Sequence, residues 1–201
     1  MWGEHTESAM SPPITRRHLA VTSLALAAAA GGWWWSRAPE PRIGGPFALL
    51  DGKGNPVSDR DFRGRFLLVY FGYTFCPDVC PTALGKLSSV LDRLDKAQLD
   101  QLAVVFISVD PQRDHGARLS EYGSAFHPLI TGLTGPREQI DAVAKAYGAR
   151  YRIAGDTSRD DYAIDHTSVV YVMNRDGAFV TQFTHNATPE AMLAKLQAVL
   201  K

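Results

Sequence analysis

The chain has 201 residues, 45% of them hydrophobic, with 21 Lys and Arg set against 21 Asp and Glu. That length buries the core of one domain and leaves some chain over. A formal charge of zero leaves no basic surplus to neutralise a phosphate backbone, so nucleic acid is excluded as an expected partner.

Residues 1–18 read as a tail that ends near Arg16 and Arg17, and residues 19–35 (LAVTSLALAAAAGGWWW) form an uncharged run. As a helix this run would span about 25 Å at 1.5 Å per residue, the short end of what crosses a bilayer. The centre is only mildly apolar, whereas Trp33, Trp34 and Trp35 suit a membrane–water boundary. A transmembrane anchor is therefore the favoured reading. A removed export signal competes with it, because Ala28, Ala29 and Ala30 suit a cleavage enzyme and residues 15–19 (TRRHL) have the form of a weak twin-arginine signal. A buried soluble helix is disfavoured, since residues 36–42, with Pro39 and Pro41, act as a linker between the run and everything that follows. Either main reading places the domain at a membrane or beyond it.

The domain is expected over residues 43–201. Residues 47–50 (FALL) read as a short strand followed by a turn at residues 51–55 (DGKGN). Residues 66–71 (FLLVYF) are continuously apolar between Gly64 and Gly72, the mark of a central strand covered on both faces. Leu84, Leu87, Val90, Leu91 and Leu94 recur every three or four residues and define a helix after the cysteines. Residues 102–109 (LAVVFISV) form a second central strand, and Ile140, Val143, Ala144 and Tyr147 a second helical face. Residues 169–173 and 178–183 flank a turn at residues 174–177 (NRDG) and read as a hairpin, and residues 189–200 as a helix opened by Pro189. The order predicts an α/β domain in which helices cover a mixed β-sheet.

Chemistry concentrates at one strand-to-helix junction, where such folds gather their sites. The chain has two cysteines, Cys76 and Cys80, both in residues 75–81 (FCPDVCP). Pro81 suits the first helical position, leaving Cys80 near the cap, where free N–H groups lower a thiol pKa. Cys76, across a turn forced by Pro77, can share a metal with Cys80 or form a disulfide with it. Core filling or a permanent staple would spend both cysteines on little, because so small a loop restrains the unfolded chain only modestly. Two thiolates suit a soft ion such as Cu(I), whereas structural zinc asks for four protein ligands. Among six histidines, His5 and His18 precede the domain, and His115, His127 and His185 have no geometric claim. His166 is expected in a loop just before the strand at 169–173. From position alone, a metal ligand and a surface or hydrogen-bonded histidine both remain open for it.

Several segments, in order, carry a resemblance: residues 43–47 (IGGPF), 70–82 (YFGYTFCPDVCPT), 106–114 (FISVDPQRD), 126–128 (FHP), 132–135 (GLTG), 146–148 (AYG) and 165–168 (DHTS). Through them the chain resembles the SCO/SenC family, the thioredoxin-like copper proteins of cytochrome c oxidase assembly. The resemblance implies a thioredoxin-like fold behind an N-terminal membrane segment, and copper, as Cu(I) and Cu(II), held by Cys76, Cys80 and His166. It also implies a Cys76–Cys80 redox pair, because some members act as thiol–disulfide reductants for the oxidase copper site. The partners implied are the copper-site subunit of cytochrome c oxidase, a copper donor protein, a thiol–disulfide reductant and the membrane. The resemblance implies a domain in the bacterial periplasm or the mitochondrial intermembrane space, and the export-like pair Arg16 and Arg17 favours the bacterial inner membrane with the domain facing the periplasm, or, after cleavage, the soluble periplasm. His115 stands where the family commonly has threonine. Asp78 either favours a bound cation or exposes the turn to water, and Asp110 with Arg113 is expected as a structural charge network. A metallochaperone is the leading expectation and a thiol–disulfide oxidoreductase the alternative. A peroxidase is disfavoured because the residues three before the cysteines are Tyr73 and Pro77 rather than Thr or Ser.

Overall fold

The structure, a computed structural model, describes residues 42–201 except residue 160. The expected tail and the anchor or export segment at 19–35 lie outside the described residues. Among the described residues, no helix is long and apolar enough to cross a membrane.

In chain order the elements are β1 (Ala48–Asp51), β2 (Pro56–Ser58), a 3₁₀ turn (Asp59–Phe62), β3 (Phe66–Gly72), α1 (Val79–Leu91), α2 (Lys96–Leu99) and β4 (Leu102–Ser108). There follow α3 (Gly116–Phe126), β5 (Ile130–Thr134), α4 (Arg137–Tyr147), β6 (Tyr151–Ala154), β7 (Ala163–His166), β8 (Val169–Met173), β9 (Phe179–Thr184) and α5 (Pro189–Val199). Seven strands make one sheet in the order β2-β1-β5-β4-β3-β8-β9, and β6 with β7 makes a separate ribbon. The sheet is mixed, as expected. β3 runs parallel to β4 and antiparallel to β8, so the two kinds of pairing meet on the strand that ends at the cysteines.

Side chains of β3 alternate between two covered faces. Tyr70 faces one side, where its ring stacks on Phe106 and Phe106 in turn meets Tyr122 of α3 at 5.3 Å. Phe71 faces the other, 5.6 Å from Tyr147 of α4 and 6.1 Å from Tyr171 of β8. Every residue of β4 is buried. Burying one such side chain contributes roughly 1.5–3 kcal/mol, whereas an exposed ion pair like Arg93–Glu190 at 3.3 Å is screened by water and salt. Packing therefore sets the platform on which the junction after β3 stands.

Besides the short β2, 3₁₀ turn and α2, two larger units are present that periodicity did not predict. The crossover β4–α3–β5 is one, because α3 fully buries only Leu119 and Gly123 and the rest of its short apolar row, Tyr122 and Phe126, is half-buried. Its contact with β5 runs through small residues: a Cβ on Gly132 would stand 2.6 Å from the Leu119 carbonyl, and one on Gly123 2.8 Å from that of Ile130. The second is the β6–β7 hairpin, whose four-residue strands are half exposed and carry too few apolar positions to show alternation.

Candidate metal centre

β3 stops at Gly72, whose carbonyl accepts from Val109 N at 2.8 Å, and the chain turns through residues 73–78. Cys76 N donates to Tyr73 O at 3.2 Å within that turn. α1 then begins at Val79 with Asp78 as its N-cap, so Cys80 is the second helical residue and Pro81 the third. The expected start at Pro81 is corrected, because Thr82 N donates to Asp78 O at 3.0 Å and closes the turn earlier. Proline is tolerated there because the first turn's N–H groups lack intrahelical acceptors in any case. The Asp78 side chain is exposed and accepts from Thr82 Oγ1 at 3.3 Å.

The expectation of a lowered Cys80 pKa is also corrected. Cys80 is fully buried, and burial pushes its thiol well above the ordinary value, with neighbouring Cys76 adding to the rise. A helix terminus contributes at most about 2 kcal/mol, roughly 1.5 pKa units, whereas complete burial can move a group by 3–5. Desolvation wins. Both cysteines are free thiols, and Cys76 is the more accessible, at 8% exposure against 0%.

His166 is not in a loop but is the last residue of β7, paired across the ribbon with Tyr151. Its Nε2 lies 3.1 Å from Cys80 Sγ. Its Nδ1 lies 3.2 Å from the Thr167 carbonyl. That oxygen can only accept, so Nδ1 carries the proton and Nε2 turns a lone pair to the sulfur. Burial lowers the imidazole pKa against the pull of the Thr167 carbonyl, which keeps the ring neutral at pH 7. The rings of Tyr70 and Tyr73 meet it edge-on at 6.1 and 5.8 Å. One ligand atom each from Cys76, Cys80 and His166 thus lies within 4.8 Å of the others. Beside His166 opens a groove of about 780 Å³ that Lys145, Arg150, Arg152 and Asp165 help to line.

The other candidates stand apart from this cluster. His115 is exposed at the N-cap of α3, and His127 accepts from Leu129 N at 3.1 Å through Nδ1. His185 is exposed, and its carbonyl accepts from Lys86. Asp110 and Arg113 form the buried ion pair expected of them, at 2.5 Å.

Sequence reasoning missed Asp114, which braces the cysteine turn from 40 residues away. Its carboxylate accepts from Thr74 N at 2.7 Å, Thr74 Oγ1 at 2.6 Å and Ser108 Oγ at 2.6 Å. Both Thr74 and Asp114 fall within segments of the resemblance, but no spacing rule links them. Burial outweighs these bonds and raises the Asp114 pKa above 3.8. The native state therefore binds more protons than the unfolded one at any pH between the unfolded and the raised folded pKa. The group's contribution to stability is full below the unfolded value and is lost as pH rises through the folded one. Asp114→Asn is expected to remove that slope and to cost about 1–3 kcal/mol, because an amide oxygen accepts fewer bonds and leaves a buried donor unmatched. Urea titrations of both proteins from about pH 4 to pH 7 check this; equal slopes would assign the acid dependence elsewhere.

A model of the SCO1/SenC family matches residues 36–201. The chain belongs to the SCO1/SenC family. Its relatives include the mitochondrial SCO1 homolog of Homo sapiens, 42% identical over 148 residues, a match covering 73% of this chain and 49% of that protein. The chain spans 49–60% of the length of the human, fission-yeast and mouse relatives it matches. Among solved structures, it is similar to Bradyrhizobium japonicum ScoI with copper bound, at 42% identity and a TM-score of 0.68 over 78% of this chain and 98% of that one. It is likewise similar to yeast Sco1 with copper bound, at 36% identity and a TM-score of 0.72 over 79% and 88% of the two chains. The expected thioredoxin-like α/β fold is the fold shared with these SCO1/SenC structures.

Proposed function

We propose that this protein binds copper through Cys76 Sγ, Cys80 Sγ and His166 Nε2 and delivers it to the copper-site subunit of cytochrome c oxidase. The observation that carries the reading is the convergence of these three atoms within 4.8 Å, with Nε2 free to donate because Nδ1–H is held by the Thr167 carbonyl. Two sulfurs and a neutral imidazole are a soft donor set that fits Cu(I), and the imidazole makes Cu(II) accessible. A buried thiol that keeps its proton when empty exchanges that proton for the metal, so loading releases protons. Three protein ligands leave a coordination position through which a thiol-bearing partner can take the ion. The copper-bound Sco structures from B. japonicum and yeast support the choice of metal.

Residues 19–35 anchor the chain in the bacterial inner membrane in this reading, with the domain, residues 43–201, facing the periplasm; a cleaved, soluble periplasmic form is the alternative. A copper donor protein loads the site. The two free thiols support an accompanying redox role, in which Cys76, the more exposed, attacks a partner disulfide and Cys80 displaces the partner's second thiol. The products are one Cys76–Cys80 disulfide and two partner thiols, and a thiol–disulfide reductant restores the pair.

Anaerobic copper titration of the reduced protein, with X-ray absorption on the loaded form, tests the reading. The expected result is one copper per chain with sulfur and nitrogen ligation, lost in Cys76→Ser and in Cys80→Ser. Failure of the reduced wild type to retain Cu(I) against a competing chelator would reject it. Rapid exchange with a copper-site disulfide in a protein without copper affinity would promote the oxidoreductase alternative to the main role.

A further inference from the structure

Among the described residues, β6 and β7 pair with each other and with no strand of the main sheet, so the ribbon that carries His166 is not laddered to it. Two four-residue strands are marginal by themselves. Apart from the short link from His166 into β8, which pairs with β3, what seats the ribbon and holds Nε2 at 3.1 Å from Cys80 is side-chain contact. Along β7 and the residue before it, Tyr162, Ile164 and His166 share the inward face, while Ala163 and Asp165 are exposed. His166 ends that face and Tyr162 begins it.

Tyr162 is seated in a buried cluster built by the turn after β4. Its hydroxyl donates to Asp110 Oδ1 at 2.6 Å, across 52 residues of sequence. The second oxygen of Asp110 accepts from Arg113 Nε at 2.5 Å. The Arg113 guanidinium lies 3.5 Å from the centroid of the Tyr162 ring, so the ring is held by its face as well as by its hydroxyl. Tyr162, Asp110 and Arg113 are 5%, 0% and 9% exposed. Between Tyr162 and His166, Ile164 N donates to the Tyr73 hydroxyl at 3.2 Å, which ties the middle of the strand to the cysteine turn. The same stretch, residues 108–114, also supplies Asp114 to the cysteine turn. One turn thus frames both halves of the cluster through separate contacts.

We infer that Tyr162 is the positioning residue for His166: its clasp on Asp110 and Arg113 sets where the imidazole stands relative to the two thiols, and so governs retention of Cu(II) more than capture of Cu(I). The inference rests on the copper reading above. The hydrogen bond and the ring contact of Tyr162 run to Asp110 and Arg113 rather than to the thiols, so releasing it should leave the sulfur pair and its redox couple in place. Cu(I) keeps two thiolates, which suffice for a two-coordinate ion, whereas Cu(II) loses a well-placed nitrogen.

The test uses the reduced full-length chain in detergent, comparing wild type, Tyr162→Phe and Tyr162→Leu. The first variant keeps the ring under Arg113 and removes the donor; the second removes both contacts. Competitive Cu(II) and Cu(I) titrations are read together with the potential of the Cys76–Cys80 couple. Cu(II) affinity is expected to fall roughly 10-fold in Tyr162→Phe and up to about 100-fold in Tyr162→Leu, the range typical of groups that orient a metal ligand. Cu(I) affinity and the potential are expected to stay at their wild-type values. Should Tyr162→Leu not fold, the isosteric Tyr162→Phe decides alone. Wild-type Cu(II) affinity in the folded variants, or equal losses for both copper states, would overturn the inference while leaving the copper reading intact. A wild-type chain that binds no copper would remove both.

Discussion

His166→Ala is expected to weaken Cu(II) binding by more than about 100-fold, beyond the 10–100-fold loss typical when only an orienting group is removed. The imidazole is the one nitrogen donor in the cluster, and Cu(II) depends on it far more than Cu(I) does. Disulfide formation needs two sulfur atoms and no imidazole, so Cys76 and Cys80 should still oxidise to a disulfide in this variant. The global cost is expected to be that of removing one partly buried ring packed against Tyr70 and Tyr73, with no main-sheet pairing lost. Parallel Cu(I) and Cu(II) titrations, with free-thiol counting after oxidation, separate these effects. Unchanged Cu(II) affinity and spectrum would reject His166 as a ligand even with the fold intact. Its effect should exceed that of Tyr162→Phe in the same assay, since a ligand is lost rather than displaced.

Gly72→Ala should damage stability and the cluster together. An added Cβ would stand 2.6 Å from Cys80 Sγ, 2.9 Å from Phe106 Cε2 and 3.1 Å from Tyr70 Cε1. All three neighbours are buried in the core, where interiors are close-packed and movement is costly. Overpacking of this kind costs about 1–3 kcal/mol, which for a chain of this size lowers Tm by roughly 2–12 °C. The Cys80 sulfur, as the nearest atom, is displaced, so Cu(I) affinity should fall as well. Cys80→Ala in the Gly72→Ala background is expected to recover part of the lost Tm by making room for the methyl group. A double-mutant cycle measures that coupling. Additive effects would show that sulfur and methyl do not compete for the same space.

These two predictions differ in how far the residues behind them were readable along the chain. Gly72, Cys76 and Cys80 lie within one strand–turn–helix segment, and their proximity follows from local rules. Continuous apolar residues identify β3, and a proline-bounded turn brings two cysteines together before a helical stripe. The Asn174–Gly177 turn and the Pro189 helix start are local in the same way, and both expectations hold. Elements with only a weak local signal escape such rules: α3 fully buries one large apolar side chain, Leu119, and meets β5 through glycines, and the β6–β7 ribbon is too short to show a period.

The sequence by itself therefore determined the core strands, the helix after the cysteines and, through an ordered set of motifs, the family. Tertiary structure alone decided that His166 Nε2 meets Cys80 Sγ across 86 residues, that Asp114 reaches Thr74 across 40, and that Tyr162 reaches Asp110 across 52. It also decided the sign of the Cys80 pKa shift, since the cap position visible in the sequence argues for a lower value and burial raises it. The physical reason is one of range. Periodicity and turn chemistry act over a few residues, whereas strand register, the seat of a ribbon on buried side chains, and desolvation are properties of the assembled core.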